Sequence, residues 1–248
     1  MEKYNADDLS ESIEELSRQN GVSIHWVDTC DSTNVLADAL ATTGWRGIVL
    51  TDHQEKGRGR MQRLWSSERG KNILLSWVSD WHCSIAELPR LTLLLAAELA
   101  HEFDLWVKWP NDLMTQDGCK VGGILSSVHT LGFEEHTVVI GVGINVHQTN
   151  FPPDIKASSL QLLKAEAEIL GSLEQSLSRK NVVQRIIQVF DRLNVGDTLD
   201  RWRERSITLG KTVDVAGRRG SVSGIREDGA LIVDGIPITS GDVTLLEM

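Results

Sequence analysis

Apolar residues along the chain switch repeatedly between a spacing of three to four and a spacing of two, or run together without interruption, and this exchange of periods predicts the elements. Ile13 and Leu16 within Ser10 to Gln19 predict a short helix, and Ile24 to Val27 a short strand. The polar cluster Asp31-Ser32-Thr33-Asn34 stands before Val35, Leu36, Ala39 and Leu40, the pattern of a helix start, and Gly44 ends that helix. Gly47 to Thr51 and Ile73 to Val78 read as strands on either side of a loop rich in arginine and glycine. Leu88 to Phe103 is a long apolar helix with Pro89 in its first turn, where the missing N–H has no intrahelical partner to lose. Strand texture resumes in Leu105 to Trp109, Val121 to Val128 and Thr137 to Val146, and further helices are expected over Ala165 to Leu177 and Val182 to Leu193.

Helices alternating with β-branched runs imply an α/β (α+β) fold, a central mixed sheet packed by helices on one side. From Gly210 the texture changes to short strands, Thr212 to Val215, Ser221 to Ile225, Ala230 to Val233 and Val243 to Leu246, punctuated by Gly217, Gly220, Asp228-Gly229 and Asp234-Gly235. That tail reads as a small β-barrel of its own, so the expected domains are 1–207 and 208–248.

Composition narrows the function. The 248 residues carry 35 Asp and Glu against 25 Lys and Arg, and a net charge of −10 disfavours nucleic acid as the bulk partner. Positive charge is therefore expected to act locally. Residues 1–20 have no basic segment leading into an apolar one, and no apolar run approaches a membrane span, so neither export nor membrane insertion is expected. Cys30, Cys83 and Cys119 are scattered without metal-ligand spacing, which fits a reduced, cytoplasmic setting and no protein-held metal.

Four runs could carry chemistry. In Gly57-Arg58-Gly59-Arg60-Met61-Gln62-Arg63-Leu64-Trp65, the guanidinium groups offer planar forks to phosphate or carboxylate, and the glycines let backbone N–H groups approach a ligand. An exposed charged loop would carry the same residues. In Lys108-Trp109-Pro110-Asn111-Asp112, proline interrupts a strand and presents Asn111 and Asp112 at its end, as would a plain turn. In Lys120-Val121-Gly122-Gly123, strand alternation puts Lys120, Gly122 and Ile124 on one face, the lysine reaching over a floor opened by Gly122. In Gly141-Val142-Gly143-Ile144-Asn145, one face is bare and ends in an amide, fit for a flat ligand or an apposed backbone.

Taken in order and spacing, these runs resemble the biotin protein ligases over about Asp31 to Met248. The resemblance implies a class II synthetase-like catalytic domain followed by an SH3-like barrel. It implies that Ser32 and Thr33 serve the biotin ureido ring, with Gln54 as a neighbouring amide contact; a helix N-cap would also explain Ser32 or Thr33. Gly57, Arg58 and Arg60 are similar to the adenylate-binding loop, Arg63 extends it towards ATP, and Trp65 closes the bicyclic pocket and the adenine side. Lys120 is similar to the lysine that touches biotin carboxyl and phosphate oxygens, and Gly123 to the glycine beside biotin. Asn111, Asp112 and Asn145 match polar residues on the nucleotide and acceptor sides. Gln62 departs from the pattern, because many members have glycine there.

The implied reaction has two steps: ATP, with Mg²⁺, converts biotin to biotinyl-5′-AMP, and a lysine of a biotin carboxyl carrier protein then displaces AMP. Arg58, Arg60 and Lys120 would stabilise charge at the α-phosphate, and Asp112 would orient or deprotonate the amine. The short segment before Asp31 leaves no room for a winged helix-turn-helix, so no specific DNA binding is expected. The oligomeric state is left open, a homodimer being compatible with the sequence. Competing readings are a lipoate or octanoate ligase, an RNA-binding protein using the Arg/Gly loop, and a biotin-responsive repressor. The loop from Gln54 to Trp65 is expected to be mobile until ligand orders it.

Overall fold

The computed structural model describes residues 9–130, 135–169 and 177–246. A 3-10 turn, Leu9–Ser12, leads into α1 (Ile13–Asn20), which buries Leu16 and stops at Gly21, a left-handed residue whose N–H returns to Ser17. Next come β1 (Ile24–Cys30), α2 (Thr33–Thr42), β2 (Gly47–Gln54), β3 (Ile73–His82) and α3 (Leu88–Glu102). A tight hairpin of β4 (Trp106–Lys108) and β5 (Asp112–Met114) precedes the long β6 (Lys120–Thr130) and β7 (Glu135–Ile144). Helices α4 (Leu160–Ile169), α5 (Arg179–Arg192) and α6 (Asp200–Glu204) follow, then β8 (Thr212–Val215), β9 (Arg218–Ile225), β10 (Leu231–Val233), β11 (Ile236–Ile238) and β12 (Val243–Leu245).

The first seven strands form one mixed sheet in the order β1-β2-β3-β7-β6-β5-β4, with only β1 and β2 parallel. Helices pack on both faces rather than the expected one. Strand alternation explains the difference: Ile48 and Leu50 of β2 point into the large core under α3 and α5, while Val49 points the other way and meets Val78, Val139, Ala37 and Ala41 beneath α2. The last five strands form an antiparallel sheet in the order β11-β10-β9-β8-β12.

The two sheets share one apolar core. Trp109, 1 % exposed, donates its indole N–H to the Gly229 carbonyl at 3.0 Å and its backbone N–H to Thr208 Oγ1 at 3.0 Å. The turn that presents Asn111 and Asp112 is thereby fastened to the C-terminal sheet. Helix α4 begins at Leu160, earlier than the expected Ala165, because Ser159 accepts the N–H of Leu162 and Leu163. The expected continuation over 170–176 lies outside the described residues, and Leu177 is not helical. Helix α6 and the three-residue strands β5 and β11 have no expectation behind them, being too short for either period to register.

Candidate active site

On the α2 face of the large sheet lies a cavity of about 710 Å³. Its near end is set by the start of α2. Ser32, 3 % exposed, occupies the N-cap position without a side-chain cap bond, and Gln54 from the end of β2 supplies the cap instead. Its Oε1 accepts the Thr33 backbone N–H at 2.7 Å and the Thr33 hydroxyl at 3.1 Å. Ser76 of β3 completes the cluster, its Oγ 2.8 Å from Thr33 Oγ1 and 2.6 Å from Asn34 Oδ1.

The glycines of β7 make room for the protein's own side chains. A Cβ on Gly141 would sit 2.0 Å from Asn34 Oδ1, and one on Gly143 would sit 2.8 Å from the Trp65 ring. The face expected to be bare for a ligand is thus partly covered by Asn34 and Trp65. Asn34 is held there by its amide donating to Leu125 O at 3.0 Å. Asn145, expected on the nucleotide side, does not line the cavity: β7 has ended, and its buried amide donates to Ser158 O at 3.0 Å.

Lys120 reaches the cavity by a route that strict alternation misses. Where β5 pairs with β6, Leu113 faces Gly122 but Met114 faces Lys120, so the register shifts by one residue. The bulge turns Lys120 onto the face of Gly123, not Gly122: a Cβ on Gly123 would lie 3.5 Å from Lys120 Nζ and 3.6 Å from Trp65, whereas one on Gly122 would strike Gly143 O at 2.8 Å. The expected open floor at Gly122 is therefore a close strand contact, and Gly123 supplies the floor. Lys120 Nζ lies 2.5 Å from Asp112 Oδ1, and Lys108 Nζ lies 3.2 Å from Asp112 Oδ2. Two ammonium groups on one carboxylate leave a net positive charge facing the cavity. Asn111 lines it too, with its side-chain amide donating to Ile124 O at 2.6 Å and its backbone carbonyl accepting the Ile124 N–H at 3.0 Å.

The Arg/Gly loop forms a hairpin across the opening. Arg58 and Leu64 form a β-bridge, Trp65 N–H bonds to Gly57 O at 2.9 Å, and Gly59 N–H bonds to Arg63 O at 2.7 Å. Gly57 is needed for this closure, because a Cβ there would be 2.3 Å from Trp65 O. Met61 and Gln62 at the tip have φ of 51° and 60°. Arg58, Arg60, Arg63 and Trp65 line the cavity, and Gly57 does not.

A model of the biotin/lipoate A/B protein ligase family matches residues 26–145. The biotin–[acetyl-CoA-carboxylase] ligase of Mycobacterium tuberculosis is 33% identical over 241 residues, covering 87% of this chain and 86% of the relative. The bifunctional ligase/repressor BirA of Bacillus spizizenii is 30% identical over 235 residues, covering 86% of this chain and 70% of that protein. The chain belongs to the biotin protein ligase family. Its fold matches that of the Aquifex aeolicus biotin protein ligase, solved in complex with biotin and ATP, with a TM-score of 0.63 at 25% identity, covering 91% of this chain and 99% of that one.

Within this ligase fold, the structure brings Ser32, Thr33, Gln54, Arg58, Arg60, Arg63, Trp65, Asn111, Asp112, Lys120 and Gly123 to one cavity, and leaves Gly57 and Asn145 as supports behind it. Sequence reasoning did not single out Asn34, Lys156, Lys211 or Asp242, which also line it. Asn34 carried a usable signal, since it follows the Ser-Thr pair at a helix start. Lys211 and Asp242 immediately precede β8 and β12 of the small sheet, and nothing local in their segments marks them.

Proposed function

We propose that this chain activates biotin as biotinyl-5′-AMP and transfers it to a lysine of a biotin carboxyl carrier protein, as a biotin–[acetyl-CoA-carboxylase] ligase. The observation that carries the reading is the convergence, in one cavity, of a polar cluster at the α2 start, a guanidinium-bearing hairpin and the Lys108–Asp112–Lys120 triad. The Ser32–Thr33–Gln54 end, with Ser32 and Thr33 buried and Gln54 half-buried, suits a small amide-like ring, and the cationic end suits a carboxylate beside a phosphate. Arg58, Arg60 and Lys120 position the two anionic reactants, whose mutual repulsion otherwise opposes attack, and stabilise charge developing at the α-phosphate.

Asp112 then serves the second step. It already accepts two ammonium groups, so a third, from the carrier lysine, can take the place of one of them, and the carboxylate can orient the amine towards the acyl carbon. Trp65 and the hairpin shield the mixed anhydride from water. For Mg²⁺ the fit is poor as a protein-held ion: Asp112 and Asp242 are engaged by cations, and among the described residues no cluster of His, Cys, Asp or Glu could hold a metal. Any Mg²⁺ would be held by the nucleotide phosphates, whose charge it would neutralise.

The catalytic part is assigned to 1–207 and the smaller domain to 208–248. A cytoplasmic setting is favoured by the free thiols of Cys30, Cys83 and Cys119, and no helix among the described residues is long and apolar enough to cross a membrane. Incubating the protein with biotin, ATP, Mg²⁺ and a biotin carrier domain should add one biotinyl group to the carrier by mass spectrometry. An unmodified carrier, with lipoate or octanoate accepted instead, would move the assignment to the sister activity.

A further inference from the structure

Asp242 precedes β12 in the small sheet, yet its carboxylate meets the loop of the large one. Arg63 Nη2 lies 2.7 Å from Asp242 Oδ2, Arg60 Nε lies 3.5 Å from Oδ1, and Arg60 Nη2 donates to the Gly241 carbonyl at 3.1 Å. The acid is fixed from behind: Val243 is buried, and Gly241, at φ +130°, sits so close to β8 that a Cβ there would be 3.0 Å from Val215 Cγ1. The loop tip is less constrained, since Met61 and Gln62 are exposed and hold left-handed backbone conformations. A rigid anion thus faces a tip whose own backbone does not favour its shape. Three arginines in one short loop also repel one another, and a carboxylate of 24 % exposure between two of them cancels part of that repulsion.

We propose that Asp242 is a positioning residue for the activation step, setting Arg60 and Arg63 over the nucleotide end of the cavity and so making the small sheet a working part of the site. The proposal rests on the ligase reading for the identity of the ligand, but the clamp itself is independent of it. Asp242 acts through the arginines and touches no reacting atom. Losing it leaves both guanidinium groups present but free to point elsewhere, which raises the cost of gathering them around a polyphosphate.

The test compares Asp242→Asn and Asp242→Glu with the unaltered 248-residue chain. In biotin-dependent pyrophosphate exchange, Asp242→Asn should raise KM for ATP about tenfold, with KM for biotin changed less than twofold, and Asp242→Glu should recover most of the loss. Trypsin should cut after Arg60 or Arg63 several times faster in Asp242→Asn, with the urea midpoint of the whole chain unmoved. An unchanged or lowered KM for ATP would overturn the positioning role, as would equal loss in both variants. If the unaltered chain shows no exchange, the ligase reading fails while the trypsin comparison still decides whether the clamp exists.

Discussion

Lys120 and Asp112 form a 2.5 Å ion pair across adjacent strands, at a bulge that turns the lysine into the cavity. The carboxylate is only 14 % exposed and also holds Lys108. This arrangement fixes where the Lys120 ammonium points before any ligand arrives. Lys120→Ala should lower the rate of adenylate formation about a hundredfold, corresponding to about 3 kcal/mol of lost charge stabilisation. Asp112→Asn keeps both ammonium groups, so it should slow transfer to the carrier more than pyrophosphate exchange. Measuring both half-reactions on both variants checks the division of labour; equal effects on the two steps would refute it.

Gly143 and Trp65 form a coupled pair. A methyl at Gly143 enters the Trp65 ring, so Gly143→Ala should displace the indole and weaken biotin binding by about tenfold, with a stability cost of about 1–3 kcal/mol. Since Trp65→Ala already removes the ring, the two changes together should weaken binding no more than Trp65→Ala alone. Calorimetric titration of biotin into the single and double variants checks this.

Gln62 has a φ of 60°, a region that suits glycine and costs other residues roughly 1–2 kcal/mol. Gln62→Gly should therefore stabilise the hairpin tip despite the extra freedom of the unfolded chain, for a net gain of up to about 1 kcal/mol. Slower local exchange of the Arg63 amide, which bonds to Arg60 O, would register it.

The hairpin should also report ligand. Biotin with ATP should bring oxygens that can pair with Arg58, which is exposed and extends along the hairpin beside Leu64. Trypsin cleavage after Arg58 should slow severalfold when both ligands are added. No change in cleavage rate would mean that the loop is already as closed as it becomes.

Away from the site, Glu102 at the end of α3 accepts from Arg185 at 2.8 Å and Arg192 at 2.6 Å on α5. Burial pushes its carboxyl up, but the hydrogen bonds and charges of Arg192 and Arg185 together outweigh that and hold it below the ordinary glutamate range. A lowered folded-state pKa adds stability that is complete above the unfolded value and disappears as pH falls through the folded one. Glu102→Gln should cost about 1 kcal/mol at pH 7, and the gap from the unaltered chain should close in acid, below about pH 4. Urea midpoints across that range decide it.

Much of this protein was legible in its residues. The long helix at Leu88, the strands at Ile73 and Thr137 and the helix start after Asp31 follow from hydrophobic period and capping, which are local. The motif runs pointed to many of the cavity residues for the same reason, because each run is a short segment with its own chemistry. What failed was inference by strict alternation: the β5–β6 bulge moved Lys120 from the face of Gly122 to that of Gly123, and a single extra residue in one strand leaves no trace in the hydrophobic pattern.

The amino-acid sequence by itself determined most of the element types, the cationic character of the loop and the ligase family. Tertiary structure alone decided that helices cover both faces of the sheet, that Asn34 and Trp65 fill the space over Gly141 and Gly143, and that Asp242 meets Arg60 and Arg63. The reason is range: period and capping act over a few neighbouring residues, whereas these contacts join segments brought together only when the two sheets close on their common core.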